Sequence, residues 1–250
     1  MTILVNKKNE WEPVVRIGID EISLRKGQQD FVTVISDIDR SILLDVIDSH
    51  QQDEIIETLI EQPLDIREAV TEVSVDMWGG FPKVIAAVFP NARIVFDRFH
   101  VMKAVNDELN QLRRELGITD RHSKYLLLKN YEELTDEQKQ RLEGVLQRSP
   151  CLRIAHELKE EFRRIYETSR TVQSGRKRFE KWLRIAQVFY VNSAATIRRH
   201  LEGICNYFLN RTTSGVVEGI NNRIKLIKRQ GYGFSNFGNF RARLLACLSH

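Results

Sequence analysis

Every strand-like pattern in this chain lies before residue 98, and every long pattern after it has helical spacing. That one-way change of period limits the fold to a sheet built early and helices added late. Residues 14–22 are apolar and β-branched, 31–37 alternate around Val32 and Val34, and 42–47 form a third apolar run. The polar links at 25–30 and 37–40 are short enough for hairpins, so the chain opens as an antiparallel meander. Ile55, Ile56, Leu59 and Ile60 then fall at helical spacing until Pro63 stops them. A strand at 72–76, a helix opened by Pro82 and a strand at 93–97 follow. A strand, helix, strand unit places its strands in parallel, so the expected fold is α/β, a five-strand mixed sheet of three antiparallel and two parallel strands with flanking helices.

From Met102 onward apolar residues recur at three and four, with Gly117 ending the first helix, Thr135 and Gln138 spaced as a capping box, and Pro150 breaking the chain. Two further helices are expected around Phe179, Trp182, Leu183 and Ala186, and through Ile197, Leu201, Ile204 and Phe208. The expected organisation is a sheet-bearing core at 12–117 plus 210–250, interrupted by an all-helical insertion at 118–209. Trp78 and Trp182 read as core residues rather than platforms for base stacking.

Bulk properties exclude several classes. No run of about 18 apolar residues offers a membrane span, and the first eleven residues are too polar for a secretory signal. A cytoplasmic protein without a membrane partner is expected. Three cysteines without a CxxC pair indicate neither a disulfide framework nor a zinc site, and they read as buried thiols. The net charge of +4 says less than its distribution. Basic clusters at Arg163-Arg164, 176–178, 198–200 and 223–229 are confined to the second half, whereas 45–72 is rich in carboxylates. The clusters suit a polyanion; taken singly, each also reads as a solvated helix face.

Asp20 stands near the end of the first strand and Asp76 at the end of the fourth, where side chains can project into a ligand-binding crevice. Each also reads as an ordinary cap or turn residue. Glu218 lies on a segment with two faces. Val217, Ile220, Ile224 and Ile227 form a packing stripe, while Glu218, Asn222, Lys225 and Arg229 form a polar one. An exposed amphipathic helix with an internal salt bridge has the same pattern. Three carboxylates would suit hard divalent cations such as Mg²⁺, which take oxygen ligands and retain positions for water and phosphate. Two such ions can serve an in-line displacement at phosphorus, and Asn222, Lys225 and Arg229, with Arg223 and Lys228, are expected to hold a phosphate backbone.

The segments Ile17-Gly18-Ile19-Asp20-Glu21 with Arg25-Lys26-Gly27, Val75-Asp76-Met77-Trp78, residues 95–101 and residues 218–225, continued by 227–234, together resemble the ISL-type (ISL-three group) transposases of bacterial insertion sequences. The motifs stand in the family's order over nearly the whole chain. The resemblance implies a ribonuclease-H-like fold of the Asp-Asp-Glu superfamily, with Asp20, Asp76 and Glu218 as catalytic metal ligands for two Mg²⁺ ions, Mn²⁺ substituting. It implies cleavage at transposon ends and 3′-hydroxyl strand transfer into target DNA by a homodimer.

Asp97 and His100 read either as a helix cap and a polar contact, or as a carboxylate behind the ligands and a phosphate contact. Glu21 is a further carboxylate, expected on the sheet face opposite Asp20. The family's usual N-terminal DNA-recognition region has no counterpart in these 250 residues. The alternative expectation is therefore a silent or truncated derivative that binds DNA, or that works with a separate recognition subunit or a full-length transposase. A ribonuclease-H-like nuclease acting on junctions or hybrids is a third reading.

Overall fold

The computed structural model describes residues 10–25, 29–77, 80–213, 215–231, 234 and 236–249. Lys26, Gly27, Trp78, Gly79, Tyr232 and Gly233, which enter the motifs and the expected core, lie outside the described residues. The chain divides into two compact units, Met1–Asp97 with Thr212–His250, and Arg98–Arg211.

In the first unit β1 (Arg16–Arg25), β2 (Gln29–Asp37) and β3 (Ile42–Ile47) form the antiparallel meander. The β2–β3 turn is closed by Asp37, whose carboxylate accepts from the backbone N–H groups of Asp39 and Arg40 at 2.8 and 2.9 Å. β4 (Glu72–Val75) and β5 (Arg93–Phe96) extend the sheet in parallel, in the order β3-β2-β1-β4-β5. This is the expected mixed sheet, a ribonuclease-H-like α/β architecture. Between β3 and β4 lie α1 (Gln52–Ile60) and α2 (Leu64–Ala69). Pro63 ends α1 as the sequence indicates, but it also stands as the N-cap of the unforeseen α2. A residue without an N–H disrupts a helix interior yet is harmless at a helix start. α3 (Phe81–Val88) crosses from β4 to β5 with Pro82 in its first turn.

One sheet face is covered from the far end of the chain, by α11 (Gly215–Gln230) and α12 (Phe237–Leu248). Ile22, Val32, Val34, Leu43 and Val46 pack there against Ile220, Ile224, Phe240, Leu244 and Leu248. Ile17, Ile19 and Ile35 alternate to the other side and are equally buried, so both faces are covered, as parallel pairing demands. Arg241 pins α12 to β3 through two bonds to Asp45, at 2.7 and 2.9 Å.

The second unit is helical: α4 (Arg98–Glu115), α5 (Ser123–Leu128), α6 (Asp136–Leu146), α7 (Pro150–Thr168), α8 (Val172–Ala186), α9 (Val191–Arg199) and α10 (Leu201–Asn210). Gly117 follows α4 at φ +68°, the left-handed conformation that suits a helix terminus. Thr135 and Gln138 make the expected capping box, and Ser149 and Thr171 cap α7 and α8. The sequence boundary at 117/118 differs from the division at 97/98 because α4 packs on α5, α7 and α9, burying Val101, Val105 and Leu109 among them. The helix expected through Ile197, Leu201 and Ile204 is two helices, broken at His200 (φ −105°, ψ 15°); Ile197 and Ile204 stay buried on either side.

Phe162, Tyr166, Phe179, Trp182, Tyr207 and Phe208 build an aromatic core, with Trp182 Nε1 donating to the Leu158 carbonyl at 2.8 Å. Trp182 is thus a core residue, as read. Two other expectations are corrected. Arg163 is buried and paired with Glu160 and Glu167, so it is neither a solvated cation nor available to a polyanion. Of the three cysteines only Cys205 is buried; Cys151 is half-buried and Cys247 exposed. Among the described residues, no helix is long and apolar enough to cross a membrane.

Burial, with the nearby Lys159 cation adding to it, lowers the His156 pKa from 6.5 to about 4. The imidazole is therefore neutral in the fold while the unfolded chain takes up a proton first. Its contribution is complete above pH 6.5 and is lost as pH falls through 4, an effect on the order of 3 kcal/mol. Thermal melts from pH 7 to pH 4.5 should show a steep loss of Tm that His156→Gln flattens; parallel curves would mean that His156 does not titrate in this window.

Candidate functional site

Strand register sets the site. β1 and β4 run in parallel with Ile19 beside Val75, so the next residues, Asp20 and Asp76, are neighbours at one level of the sheet. β4 and β5 pair Val75 with Phe96, which brings Asp97 to the same level beside Asp76, and the Asp97 N–H donates to the Val75 carbonyl at 2.9 Å. Three aspartates thus stand in a row across three adjacent parallel strands. Asp20 and Asp76 are half-buried and Asp97 is buried. Asp20 Oδ1 accepts from the Glu21 N–H at 2.9 Å, and Asp76 Oδ1 accepts from the Met77 N–H.

α11 lies along β1. Val217 packs on Gly18, and Asn221 Nδ2 donates to Asp20 Oδ2 at 2.7 Å. Four residues of helix rise about 6 Å and two of strand about 6.6 Å, so the two contacts match with the helix running in the strand's direction. Gly18 makes this approach possible: a Cβ there would stand 2.3 Å from Val217 Cγ2 and 3.0 Å from Ser36 Oγ. Gly18→Ala should therefore lower stability by about 1–3 kcal/mol and weaken the Asn221–Asp20 contact. Adding Val217→Ala should recover most of the Tm; no recovery would mean that the clash lies elsewhere.

Glu218, one turn before Asn221, is exposed in the first turn of α11. Asn222, Arg223, Lys225 and Arg229 are exposed as well, while Lys228 is half-buried. Val217, Ile220 and Ile224 are buried, so the helix presents the two faces its spacing indicates. Lys228 also lines a half-open cavity of about 520 Å³ with Phe31, His50, Phe234 and Phe237. His100 is half-buried in the second unit, edge-on to the exposed Phe99 at 5.4 Å.

Two neighbours of the aspartates carry more of the site than the spacing suggests. Burial raises the Glu21 carboxyl above the usual carboxylate range; His50 opposes this, and Asp20 and Asp76 add to it. Glu21 therefore shares the field of both aspartates although strand alternation turns it to the other face. Asn221 is 6% exposed, and its Oδ1 has no hydrogen-bond partner among the described residues. The sequence carried a signal for it: four residues after Val217 and three before Ile224, it is an amide on the apolar stripe.

The donors at these strand ends, two neighbouring carboxylates and an amide oxygen with no partner among the described residues, are all oxygen, the type that a hard divalent cation takes. Among the described residues, no group of three His, Cys, Asp or Glu side chains is gathered closely enough to hold one. Asp20 and Asp76 are brought together, whereas Glu218 faces solvent.

The profile of the ISL3-type DDE family, described as "Transposase", matches residues 17–244. The chain belongs to that family. It is 28% identical to the transposase for insertion sequence element IS1001 of Bordetella parapertussis, over 96% of this chain and 62% of that protein. It is 27% identical to the transposase for insertion sequence element IS1557 of Mycobacterium tuberculosis, over 88% of this chain and 56% of that protein. The chain thus spans about three-fifths of the length of the curated relatives it matches. The matched region begins in β1 just before Asp20, includes Asp76, Asp97 and Glu218, and ends in α12.

Proposed function

We propose that this chain is the catalytic part of a DNA transposase that hydrolyses phosphodiester bonds at transposon ends and joins the 3′-hydroxyl to target DNA. The observation that carries this reading is the in-register pair Asp20 and Asp76 at parallel strand ends, within a chain of the transposase family. Asp20 and Asp76, joined by Glu218, would hold two Mg²⁺ ions, for which Mn²⁺ substitutes. Such ions, when bound, polarise the scissile phosphate and favour the ionised form of the attacking oxygen.

The chain's own residues supply the rest. Asn221 holds Asp20 in one orientation, and the Glu21 and Met77 backbone N–H groups fix one oxygen of each aspartate. A bond already made need not be ordered during reaction. Asp97, level with Asp76 on the neighbouring strand, is its outer partner, and His100 contacts phosphate. Asn222, Arg223, Lys225, Lys228 and Arg229 track the DNA backbone without reading sequence. Paired transposon ends call for two copies of the chain in the active complex.

The test is nicking and strand joining on supercoiled and pre-cut DNA, with Mg²⁺ or Mn²⁺, by the wild-type chain and by Asp76→Ala and Glu218→Ala. Metal-dependent turnover lost in both folded variants supports the reading. DNA binding without turnover under any metal condition replaces it with a silent DNA-binding or regulatory partner of full-length transposase. Turnover that survives both substitutions places the site elsewhere.

A further inference from the structure

Asn221 has an amide with two ends, and only one is used. Its Nδ2 donates to Asp20 Oδ2 at 2.7 Å, while its Oδ1 is buried and meets no donor among the described residues. The orientation of the amide follows from chemistry, because an ionised carboxylate only accepts and the group facing it must be the NH₂. A buried amide oxygen without a partner is costly, so this one calls for a donor beyond those that the described residues provide. The neighbouring groups narrow the choice. Asp20 and Asp76 stand side by side at the strand ends and are acceptors. A donor that sits comfortably beside carboxylates is water, and water bound to a divalent cation donates most strongly.

Resting on the proposed metal chemistry, we propose that Asn221 is a positioning residue of the cation site. Its NH₂ fixes the Asp20 carboxylate, and its Oδ1 accepts from a water in the hydration shell of the divalent ion that Asp20 holds. The helix makes this possible, since Val217 and Ile224 on either side are buried and hold the amide at the strand. Outer partners of metal ligands act in this way, setting a ligand's direction and anchoring its waters.

Mn²⁺ binding to the purified chain, read by calorimetry and by the Mn²⁺ paramagnetic resonance signal, tests this apart from turnover. Asn221→Ala should weaken Mn²⁺ affinity about 10- to 100-fold. In an Asp20→Ala background the same substitution should have no further effect, because the two act through one contact. A second variant separates positioning from packing. Asn221→Asp keeps the shape but sets two carboxylates against each other, so it should lower the metal-free Tm and show a larger rise in Tm with Mn²⁺ than the wild type. If Asn221→Ala lowers Tm but leaves Mn²⁺ affinity unchanged, or Asn221→Asp gains no additional metal-induced rise, the residue only packs and the inference falls alone. If the wild-type chain binds no Mn²⁺, or Asp20→Ala leaves binding unchanged, the inference and the proposed metal chemistry fall together.

Discussion

Asp76→Ala is expected to lower metal-dependent DNA nicking by on the order of 10³-fold or more while leaving the metal-free Tm unchanged or slightly raised. The two effects have one source. Register sets Asp76 beside Asp20 on neighbouring strands, about 5 Å apart along the hydrogen-bonding direction. Two carboxylates so placed repel in the absence of a cation, by an amount on the order of 1 kcal/mol after screening at a half-buried site. Glu21, whose carboxyl is raised chiefly by burial, feels the same crowding, to which both aspartates add. Removing one charge relieves the repulsion and deletes a proposed cation ligand in a single step. A group kept against the interest of stability is the pattern expected of a functional site. The measurement pairs a nicking time course in Mn²⁺ with a melt in chelator. Turnover within a few-fold of wild type would remove Asp76 from the chemistry. A Tm lower by 10 °C or more would mean that the strand end needs the side chain for folding.

How much of this was legible depended on whether the signal was local. The five strands were, because alternation and β-branching mark a strand wherever it pairs, and the order of strand and helix dictated the parallel extension at β4 and β5. The helical caps at Thr135 and Gly117 are equally local. α2 was not legible: six residues with one buried side chain, Ile66, have no periodicity to read. Nor was the place of α4, whose stripe of Val101, Val105 and Leu109 says that it packs but not on what. At the candidate site, strand ends together with the family resemblance singled out Asp20 and Asp76, and their adjacency follows from register, which only pairing reveals. Asn222 drew notice because it lies on the polar stripe, yet Asn221 on the apolar one meets Asp20. The more telling residue was the one that broke the pattern. Arg163 misled for the converse reason: a charged pair in sequence looks solvated until its partners arrive from Glu160 and Glu167.

That buried cluster supplies the largest expected effect on stability. Lys159 is fully buried on α7, where it donates to Glu160 and to the Lys129 carbonyl, the latter at 3.2 Å. Glu160 also accepts from Arg163 Nε at 3.1 Å and from the Tyr131 N–H at 3.2 Å. Burial alone would raise the Glu160 carboxyl, but Lys159 and Arg163 outweigh it and hold it below the usual carboxylate range. One carboxylate therefore serves two buried cations and the turn that leads into α6. Glu160→Ala leaves Lys159 without its counter-ion and Arg163 dependent on Glu167 and Glu132 at the rim. Stranding a buried charge costs about 3–5 kcal/mol, more than the intact pair adds over an apolar replacement. Because the defect is the stranded cation, Glu160→Ala with Lys159→Met should be more stable than Glu160→Ala alone. In a unit of this size the single substitution should lower the helical unit's melting temperature by about 10–20 °C, and the double should recover a substantial part. Calorimetric melts of the three chains decide the matter. If the second substitution deepens the loss, Lys159 contributes by packing its stem and not through its charge, and the cluster is a space-filling core that happens to be ionic.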